Sequence, residues 1–316
     1  MSDNSLNESY SDVLFINVKG KGYTYNFSRG LLAHSLNLRG LSLEKSYEVA
    51  KKVHSILVKE GVTEITEDNL RKYVQAEASI IVDEKIAYAY DIIERWHITL
   101  MPIIILISGA EGTGTSSIGK SLANKLAIQQ IVSTSVVTQI LRKMMAKELA
   151  PELHSKSYDA YKKLRQNYSV LYDKVIVGFE EHTRYPAEAI EALVDRGLKE
   201  GLSMIIRGEH LVPRFLSLKI LNHPNVLSVT LEVKDSEQHL KQYLQDYEEK
   251  DHKMRKNQFK EIRKIHDYLV EEAKNRGLIV VQNNSYSDTL DEIYLRVLDK
   301  LASLLSFNSK KEENVN

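Results

Sequence analysis

The sequence predicts an α/β protein: a doubly wound, parallel five-stranded sheet preceded by a small N-terminal α+β domain. Two observations support this prediction. Short apolar runs alternate with amphipathic helical patterns from about residue 101 to residue 305, and such alternation is typical of a parallel sheet covered by helices. The first apolar run, residues 103–107, ends in a glycine-rich turn that leads into a helix. Ligands of such sheets bind beyond the carboxyl ends of the strands, at turns of this kind.

The elements of the larger domain follow from the apolar period of each segment. Strands are predicted at residues 103–107, 130–133, 202–206, 227–233 and 278–282. Helices are predicted at residues 116–127, 136–149, 158–182, 187–200, 236–249, 257–276 and 289–305. Residues 101–305 are therefore assigned to this domain, and the polar residues 306–316 to a flexible tail.

A smaller domain is predicted at residues 12–75, after a flexible N-terminus at residues 1–11. It is expected to hold a hairpin, with strands at 13–18 and 23–25, and helices after Ser28, at 43–59 and at 67–74. Ser28 is a candidate N-cap, because a serine hydroxyl can accept the free amides of a first helical turn. Residues 76–100 are predicted to form a connecting helix.

Composition excludes several classes of function. Lys and Arg number 43, as do Asp and Glu, so the net charge is zero, which argues against a dedicated nucleic-acid or membrane-surface binder. The absence of cysteine excludes disulfides, zinc–thiolate sites and cysteine nucleophiles. No signal peptide or membrane-length apolar stretch is present. We expect a cytoplasmic protein that acts on a small molecule, and a homo-oligomer remains open.

Residues 109–116 have the spacing of a phosphate-binding loop, GxxxxGK[ST], except that Thr115 stands in the lysine position. Glycines let such a loop aim backbone amides at a phosphate, and the following helix adds its positive dipole end. Ser116 is placed to bind Mg²⁺ beside ATP. The candidate nucleotide-binding residues here are Gly109, Gly112, Thr113, Gly114, Thr115 and Ser116.

A second segment, residues 114–121, also matches the motif literally and would make Lys120 its lysine. This frame is rejected because its first glycine does not follow a strand. Its remaining residues also fall inside the helical pattern of Ile118, Leu122 and Leu126.

Several motifs in this order resemble archaeal 2-phosphoglycerate kinase, a P-loop kinase family. Besides the loop, they are Ile131-Val132-Ser133-Thr134, Leu153-His154-Ser155-Lys156-Ser157-Tyr158, Gly178-Phe179-Glu180-Glu181-His182 and Gly208-Glu209-His210-Leu211-Val212-Pro213. The resemblance implies that ATP phosphorylates 2-phosphoglycerate to 2,3-bisphosphoglycerate, and that a loop with Thr115 is a family trait. Residues 27–36 resemble an ATP-cone, a regulatory nucleotide-binding domain.

Three positions depart from the family pattern. Ser135 stands where the family tends to have an aspartate, Thr138 where it has an arginine, and Arg207 where it has a glutamate. An acid appears instead at Glu209. Two alternatives therefore stay open: a kinase for another small phosphorylated polyol, and a catalytically weak nucleotide-sensing regulatory protein. Kinase activity is favoured, because phosphoryl transfer depends more on positioning and electrostatics than on a base.

The resemblance and the places of residues after strands give the remaining candidates. The catalytic candidates are Glu209 and His210, just past a buried strand, and Arg255 and Arg263, in a charged segment where related kinases carry a lid. The substrate candidates are Ser135, Arg142, His154 and Tyr158. Further nucleotide candidates are Asn283 for the adenine, and Lys19, Lys21 and Arg29 in the cone-like domain.

Overall fold

The structure is a computed structural model that describes residues 15–20, 22–39, 41–82, 84–165, 173–245 and 247–313. The predicted flexible N-terminus and Lys21 lie outside the described residues. The chain divides into two compact units, with the boundary between Arg95 and Trp96. In the described part of the chain, no helix combines the length and apolar character needed to cross a membrane.

The first unit is a small α+β fold. Its elements are β1 (Asn17–Lys19), β2 (Thr24–Asn26), α1 (Arg29–Leu38), α2 (Leu43–Lys59), β3 (Glu64–Thr66), α3 (Glu67–Ile81) and α4 (Glu84–Thr99), which continues across the boundary. The sheet order is β2–β1–β3, with β2 antiparallel and β3 parallel to β1. Aliphatic side chains of β1, α1, α2 and α3 form its core. The Ser28 hydroxyl accepts the Leu31 amide at 3.3 Å, which confirms the predicted N-cap.

Two expectations for this part of the chain are wrong. Strand β3 was not predicted, because its three residues are too few to show an apolar period. The single connecting helix predicted at residues 76–100 is two helices, because α3 continues to Ile81 and α4 begins at Glu84. Neither glycine nor proline marks this break, so nothing local in the sequence signalled it.

The second unit is an α/β fold. Its strands are β4 (Ile104–Ser108), β5 (Gln130–Ser133), β6 (Met204–Gly208), β7 (Val226–Glu232) and β8 (Ile279–Gln282). Its helices are α5 (Thr115–Leu126), α6 (Thr134–Met144), α7 (Lys174–Glu200), α8 (Leu218–Leu221), α9 (Ser236–Leu244), α10 (His252–Asn275) and α11 (Tyr286–Glu313). Short 3-10 helices occupy Ser157–Lys163, Pro213–Phe215 and Glu249–Asp251. All five predicted strands are confirmed.

The five strands form one parallel sheet in the order β5–β6–β4–β7–β8. Every residue of β4 is buried, as expected for a central strand covered on both faces. Ile104, Leu106 and Ile206 pack against Ile190 and Val194 of α7 in the core on one face. Parallel strands bring their carboxyl ends to one edge, so the turn after β4 lies beside the residues that follow β6 and β7.

Some helix boundaries differ from those predicted. The break expected between residues 182 and 187 is absent, since α7 continues through the buried Pro186. The helix expected from residue 158 is a 3-10 helix that ends at Lys163. Helix α11 continues to Glu313, beyond residue 305, where the sequence analysis placed the start of a tail.

Gly178 generates a testable prediction about this fold. A Cβ added at Gly178 would collide with the backbone of Tyr161 in the 3-10 helix, which cannot move aside as a side chain can. Gly178→Ala should therefore lower the free energy of unfolding by about 1–3 kcal/mol, as overpacking typically does. Urea denaturation measures this change.

Gly197→Ala in the same helix is the matched control. Its added Cβ would chiefly meet the terminal methyl groups of Met204 and Ile104, at 2.8 and 2.9 Å, which can shift. Equal destabilisation by the two variants would contradict the packing assigned to Gly178.

Candidate active site

A cleft of about 540 Å³ lies at the carboxyl ends of the parallel strands. It is next to β4, where the strand order reverses, and this is the usual ligand position in open α/β sheets. The loop after β4, the ends of β5 and β6, helix α9 and the start of α11 form its walls. Of the residues predicted from sequence, the following line it: Gly109, Gly112, Gly114, Thr115, Ser116, Ser135, Glu209, His210 and Asn283.

The glycine-rich loop presents free backbone amides to this cleft. Gly112 and Gly114 have φ angles of 83° and 86°, which side-chain-bearing residues rarely adopt. Gly114 is the N-cap of α5 and supplies no side-chain acceptor for the first helical amides. The first amides of a helix have no intrahelical partner, so they are available to an anion. This geometry fits the phosphates of a nucleotide, and Ser116 places a hydroxyl at the same helix end.

Side chains from within and beyond the loop hold its shape. The Thr113 hydroxyl donates to the Ala110 carbonyl at 2.7 Å, so this predicted residue closes the loop from the buried side. Asn283 Nδ2 donates to the Thr113 carbonyl at 2.8 Å, and the Thr289 hydroxyl donates to Asn283 Oδ1 at 3.0 Å. Both ends of the Asn283 amide are therefore engaged. Asn283 thus positions the loop, and its predicted contact with adenine stays a prediction.

Helix α9 braces the loop from the other side. His239 Nε2 donates to the Glu111 carbonyl at 2.9 Å, and the imidazole is completely buried. Burial lowers the pKa of His239 to about 4, so the ring is neutral at physiological pH. Tyr243 lies so close to Gly112 that an added Cβ would be 2.7 Å from the Tyr243 Cα. The sequence analysis named none of these contacts, because an ordinary amphipathic helix carries no signal of what its buried face touches.

A chain of buried side chains runs from α6 to α7 through His210. The Thr134 hydroxyl is 2.9 Å from His210 Nδ1, and His210 Nε2 is 3.2 Å from His182 Nδ1. His182 Nε2 lies 3.3 Å from the Ser155 carbonyl, which can only accept. The tautomers consistent with this acceptor have Thr134 donating to His210, His210 to His182, and His182 to Ser155. Burial, with Arg142 nearby, lowers the pKa of His182 to about 4 and that of His210 well below its usual value.

Glu209 supplies the carboxyl group at this end of the cleft. Its side chain is 15 % exposed. Burial, reinforced by the nearby Glu111 carboxylate, raises the pKa of Glu209 to about 8. At neutral pH the group is therefore mostly protonated, and it becomes an anion and a proton acceptor only at mildly alkaline pH or when a cation approaches.

Three of the four substrate candidates are engaged elsewhere. Arg142 donates to the Leu153 carbonyl at 2.6 Å and to the Ser155 carbonyl. His154 Nε2 is 2.9 Å from the Met145 carbonyl, and the buried Tyr158 hydroxyl donates to Gln258 at 3.2 Å. These side chains fix the segment after α6 and do not line the cleft, which corrects their predicted substrate contacts. Ser135 does line it, with its hydroxyl 2.7 Å from that of Ser133.

Arg255 and Arg263, the two arginines predicted to act from a lid, both contact other residues of the protein. Arg263 donates to the Val233 carbonyl at 2.7 Å and pairs with Asp267 at 2.9 Å, so its expected role toward a phosphoryl group is corrected to a structural one. The Arg255 guanidinium stacks over the Tyr247 ring at 3.9 Å. Tyr247 lines the cleft and Arg255 itself does not, so the predicted role of Arg255 toward a phosphoryl group stays a prediction.

Comparisons with known proteins identify the family. No family model matches the chain. A 2-phosphoglycerate kinase of Methanopyrus kandleri is 37 % identical over 90 % of this chain and 88 % of its own length. The Methanocaldococcus jannaschii 2-phosphoglycerate kinase is 33 % identical over 94 % of this chain and 96 % of its own. The chain belongs to the 2-phosphoglycerate kinase family.

Solved structures are more distant from this family member. A gluconokinase from Sinorhizobium meliloti matches 67 % of this chain and 98 % of its own, with 13 % identity and a TM-score of 0.40. A shikimate kinase from Acinetobacter baumannii matches 64 % of this chain and 94 % of its own, with 12 % identity and a TM-score of 0.33.

The two cations predicted for nucleotide binding in the first unit of this family member lie in different places. Lys19 pairs with Glu64 at 2.7 Å and lines one cavity. Arg29 lines another, of about 360 Å³, together with Phe27, Ser28 and His54. Lys19 and Arg29 therefore line separate cavities, each of which also holds an aromatic ring and the start of a helix, and their roles in nucleotide binding stay predictions.

The hydrogen bond from His239 to the Glu111 carbonyl generates a prediction for this site. His239→Phe keeps the ring but removes the N–H donor, which leaves the Glu111 carbonyl without this partner and loosens the loop. The affinity for ATP should fall roughly 5- to 30-fold, the loss expected for one buried hydrogen bond. Titration calorimetry measures the affinity.

The conservative variant His239→Gln, which keeps a side-chain N–H, should remain within about threefold of the parent, a change of under 1 kcal/mol. A phenylalanine variant that folds normally and binds ATP as tightly as the parent would refute the role of the brace.

Proposed function

We propose that this protein transfers the γ-phosphoryl group of ATP to 2-phosphoglycerate and forms 2,3-bisphosphoglycerate. The observation that carries the proposal is the uncapped N-terminus of α5, whose loop faces the cleft beside Glu209 and His210. Membership of the 2-phosphoglycerate kinase family and the names of the relatives support the choice of substrate. A phosphate-binding loop and a carboxyl group in one cleft suit transfer to a hydroxyl.

The nucleotide side of the proposed site is the loop. The backbone amides of Gly112 and of Gly114 to Ser116 would bind the β- and γ-phosphates, helped by the positive dipole end of α5. The Thr113 amide instead donates to the Ala110 carbonyl at 3.2 Å. The Ser116 hydroxyl would hold Mg²⁺, which neutralises charge on the transferred group. The loop is preorganised for this role, because Asn283 and His239 hold two of its carbonyls and the first amides of α5 have no intrahelical partner.

The acceptor side is the end of β6 and the start of α6. The oxygen of the acceptor hydroxyl forms a bond to the γ-phosphorus while the bond to the bridging oxygen breaks and ADP leaves. The hydroxyl proton passes to the Glu209 carboxylate. His210, fixed between Thr134 and His182, positions this end of the cleft, and the Ser135 hydroxyl is available to the acceptor.

The first unit is proposed to be an ATP-cone that regulates the kinase. The support for this proposal is the cavity that Arg29 lines together with Phe27 and His54. A cation beside aromatic rings is suited to binding a nucleotide. Since ATP and phosphorylated glycerates are metabolites of the cytoplasm, we propose that the protein acts there.

An enzyme assay tests the proposed reaction. Protein incubated with ATP, Mg²⁺ and 2-phosphoglycerate should produce 2,3-bisphosphoglycerate, detected by phosphorus NMR. Ser116→Ala should lower kcat/KM for Mg·ATP by at least about tenfold, since it removes the metal-binding hydroxyl. Lys120→Ala, the control on the same helix, should change it less than threefold, consistent with a surface charge.

Two outcomes would count against this proposal. ATP binding without any product would favour the nucleotide sensor, and product only from another phosphorylated polyol would change the substrate. A larger loss from Lys120→Ala than from Ser116→Ala would show that the loop had been placed in the wrong frame.

The raised pKa of Glu209 predicts how the rate of the proposed reaction depends on pH. Because the proton acceptor is the ionised form and its pKa is about 8, kcat/KM should rise about tenfold per pH unit from pH 6 and level off near pH 8. Glu209→Gln should lower the rate by about 10²- to 10⁴-fold and abolish this rise. A glutamine variant that retains the same alkaline rise would assign the titration to another group.

The stability of the ligand-free protein gives an independent reading of the same carboxyl group. Its pKa is raised on folding, so between about pH 4.5 and pH 8 the folded state binds more protons than the unfolded state. Stability should therefore fall as the pH rises through this window, by up to about 1.4 kcal/mol per pH unit. Urea denaturation of the glutamine variant should lack this slope.

A further inference from the structure

Arg207 is a cation in the cleft that the proposed reaction has not yet used. It lies near the carboxyl end of β6, level with Ile107 of β4 on one side and Ser133 of β5 on the other. Ile107 is two residues before the start of the phosphate loop at Gly109. Arg207 lines the same cleft as the loop and is only partly exposed.

The stem of Arg207 lies against the helix that carries the loop. A Cβ added at Gly119 of α5 would be 3.2 Å from the Arg207 Cδ, so the stem lies in close contact with this glycine and would have to shift slightly to admit a side chain. Glycine in the middle of a helix costs about 1 kcal/mol relative to alanine. The close approach gives a structural reason for glycine at this position, and it holds the arginine beside α5.

The Arg207 guanidinium has no partner among the described residues. Its Nε is buried and makes no hydrogen bond there. Burial alone lowers the pKa of Arg207, since no neighbouring carboxylate counteracts it. Glu111 and Glu209, the acidic residues that line the cleft, do not form an ion pair with Arg207. An unpaired charge in a partly dry site is costly, and an anionic ligand would remove that cost.

The loop beside this arginine lacks the cation that its motif usually supplies. Thr115 occupies the lysine position, and it offers a hydroxyl rather than a positive charge. A guanidinium is always charged and presents paired donors that match two phosphate oxygens. The unpartnered cation and the loop without a lysine therefore face the same space.

We propose that Arg207 binds the outer phosphates of the nucleotide held by the loop and supplies the positive charge that Thr115 does not. The nucleotide is favoured over the phosphate of the acceptor because the stem of Arg207 packs on α5, the loop's own helix. The inference rests on the nucleotide half of the proposed function and is independent of which molecule accepts the phosphoryl group.

Nucleotide binding measured without acceptor tests this inference. Arg207→Met keeps a stem that can pack on Gly119 and removes the charge. Titration calorimetry in Mg²⁺ should show ATP and ADP binding about 10- to 100-fold more weakly, as expected for a lost charged hydrogen bond. AMP, which lacks the outer phosphates, should bind with the same affinity as to the parent protein.

Two further variants make the test specific. Lys120→Met removes an exposed cation from the same cleft wall and should change ATP affinity less than twofold. Thr115→Lys combined with Arg207→Met should recover at least half of the lost affinity on a logarithmic scale, because the charge returns from the usual position. Thermal unfolding monitors folding, and Arg207→Gln replaces Arg207→Met if the methionine variant does not fold.

The results of these measurements distinguish a role of Arg207 toward the nucleotide from a role toward the acceptor. Unchanged ATP affinity in folded Arg207→Met would overturn the inference, and a raised KM for 2-phosphoglycerate alone would assign the arginine to the acceptor. An equal loss for AMP and ATP would also overturn it, because the effect would not depend on the outer phosphates. If 2-phosphoglycerate is not phosphorylated but ATP binding still requires Arg207, the proposed reaction fails and the inference stands.

Discussion

The cleft depends on a glycine-rich loop whose shape is fixed by side chains of other elements, with the unpartnered first amides of α5 at its end. His239 binds the Glu111 carbonyl and Asn283 binds the Thr113 carbonyl, while the Thr113 amide donates to the Ala110 carbonyl at 3.2 Å. The two side chains follow β7 and β8, the strands on one side of β4. The order of the sheet therefore determines which elements meet the loop, and the anion-binding geometry of a few residues depends on the packing of the whole domain.

Burial sets the charges around that loop in a way that suits anionic ligands. Glu209 is mostly protonated at neutral pH, and His182 and His210 are neutral. Arg207 keeps its charge, because an arginine does not lose its proton in proteins. Because Glu209 is mostly protonated, its carboxyl group adds little to the repulsion that an anionic ligand would meet in this cleft. The same desolvation that protonates Glu209 in the free protein makes it a strong base once it is ionised.

The parts of this molecule that were predictable from sequence are those governed by local pattern. The five strands, the loop at residues 109–116 and the Ser28 cap follow from apolar runs, glycine spacing and a hydroxyl before a helix. The errors concern long-range contacts. Arg142 was interpreted as ligand-facing because it follows a strand, and Arg263 because it lies in a charged segment where related kinases carry a lid. Both instead donate to backbone carbonyls, of Leu153 and Val233 respectively. No pattern in α9 indicates that His239 touches the loop, since that contact exists only after β7 pairs with β4.

Two positions that depart from the family pattern, Thr138 and Arg207, differ in where they place positive charge in the structure. Thr138 is 3 % exposed, its hydroxyl donates to the Thr134 carbonyl at 3.0 Å, and it lies 3.5 Å from His210 Nε2. A small side chain here leaves His210 packed between α6 and α7 and adds no charge to the acceptor side. The positive charge is instead on β6, at Arg207, next to the loop's helix. The charge that position 138 lacks is thus present on the other side of the cleft, next to the loop, and on the proposed acceptor side the Ser135 hydroxyl is a neutral group that lines the cleft.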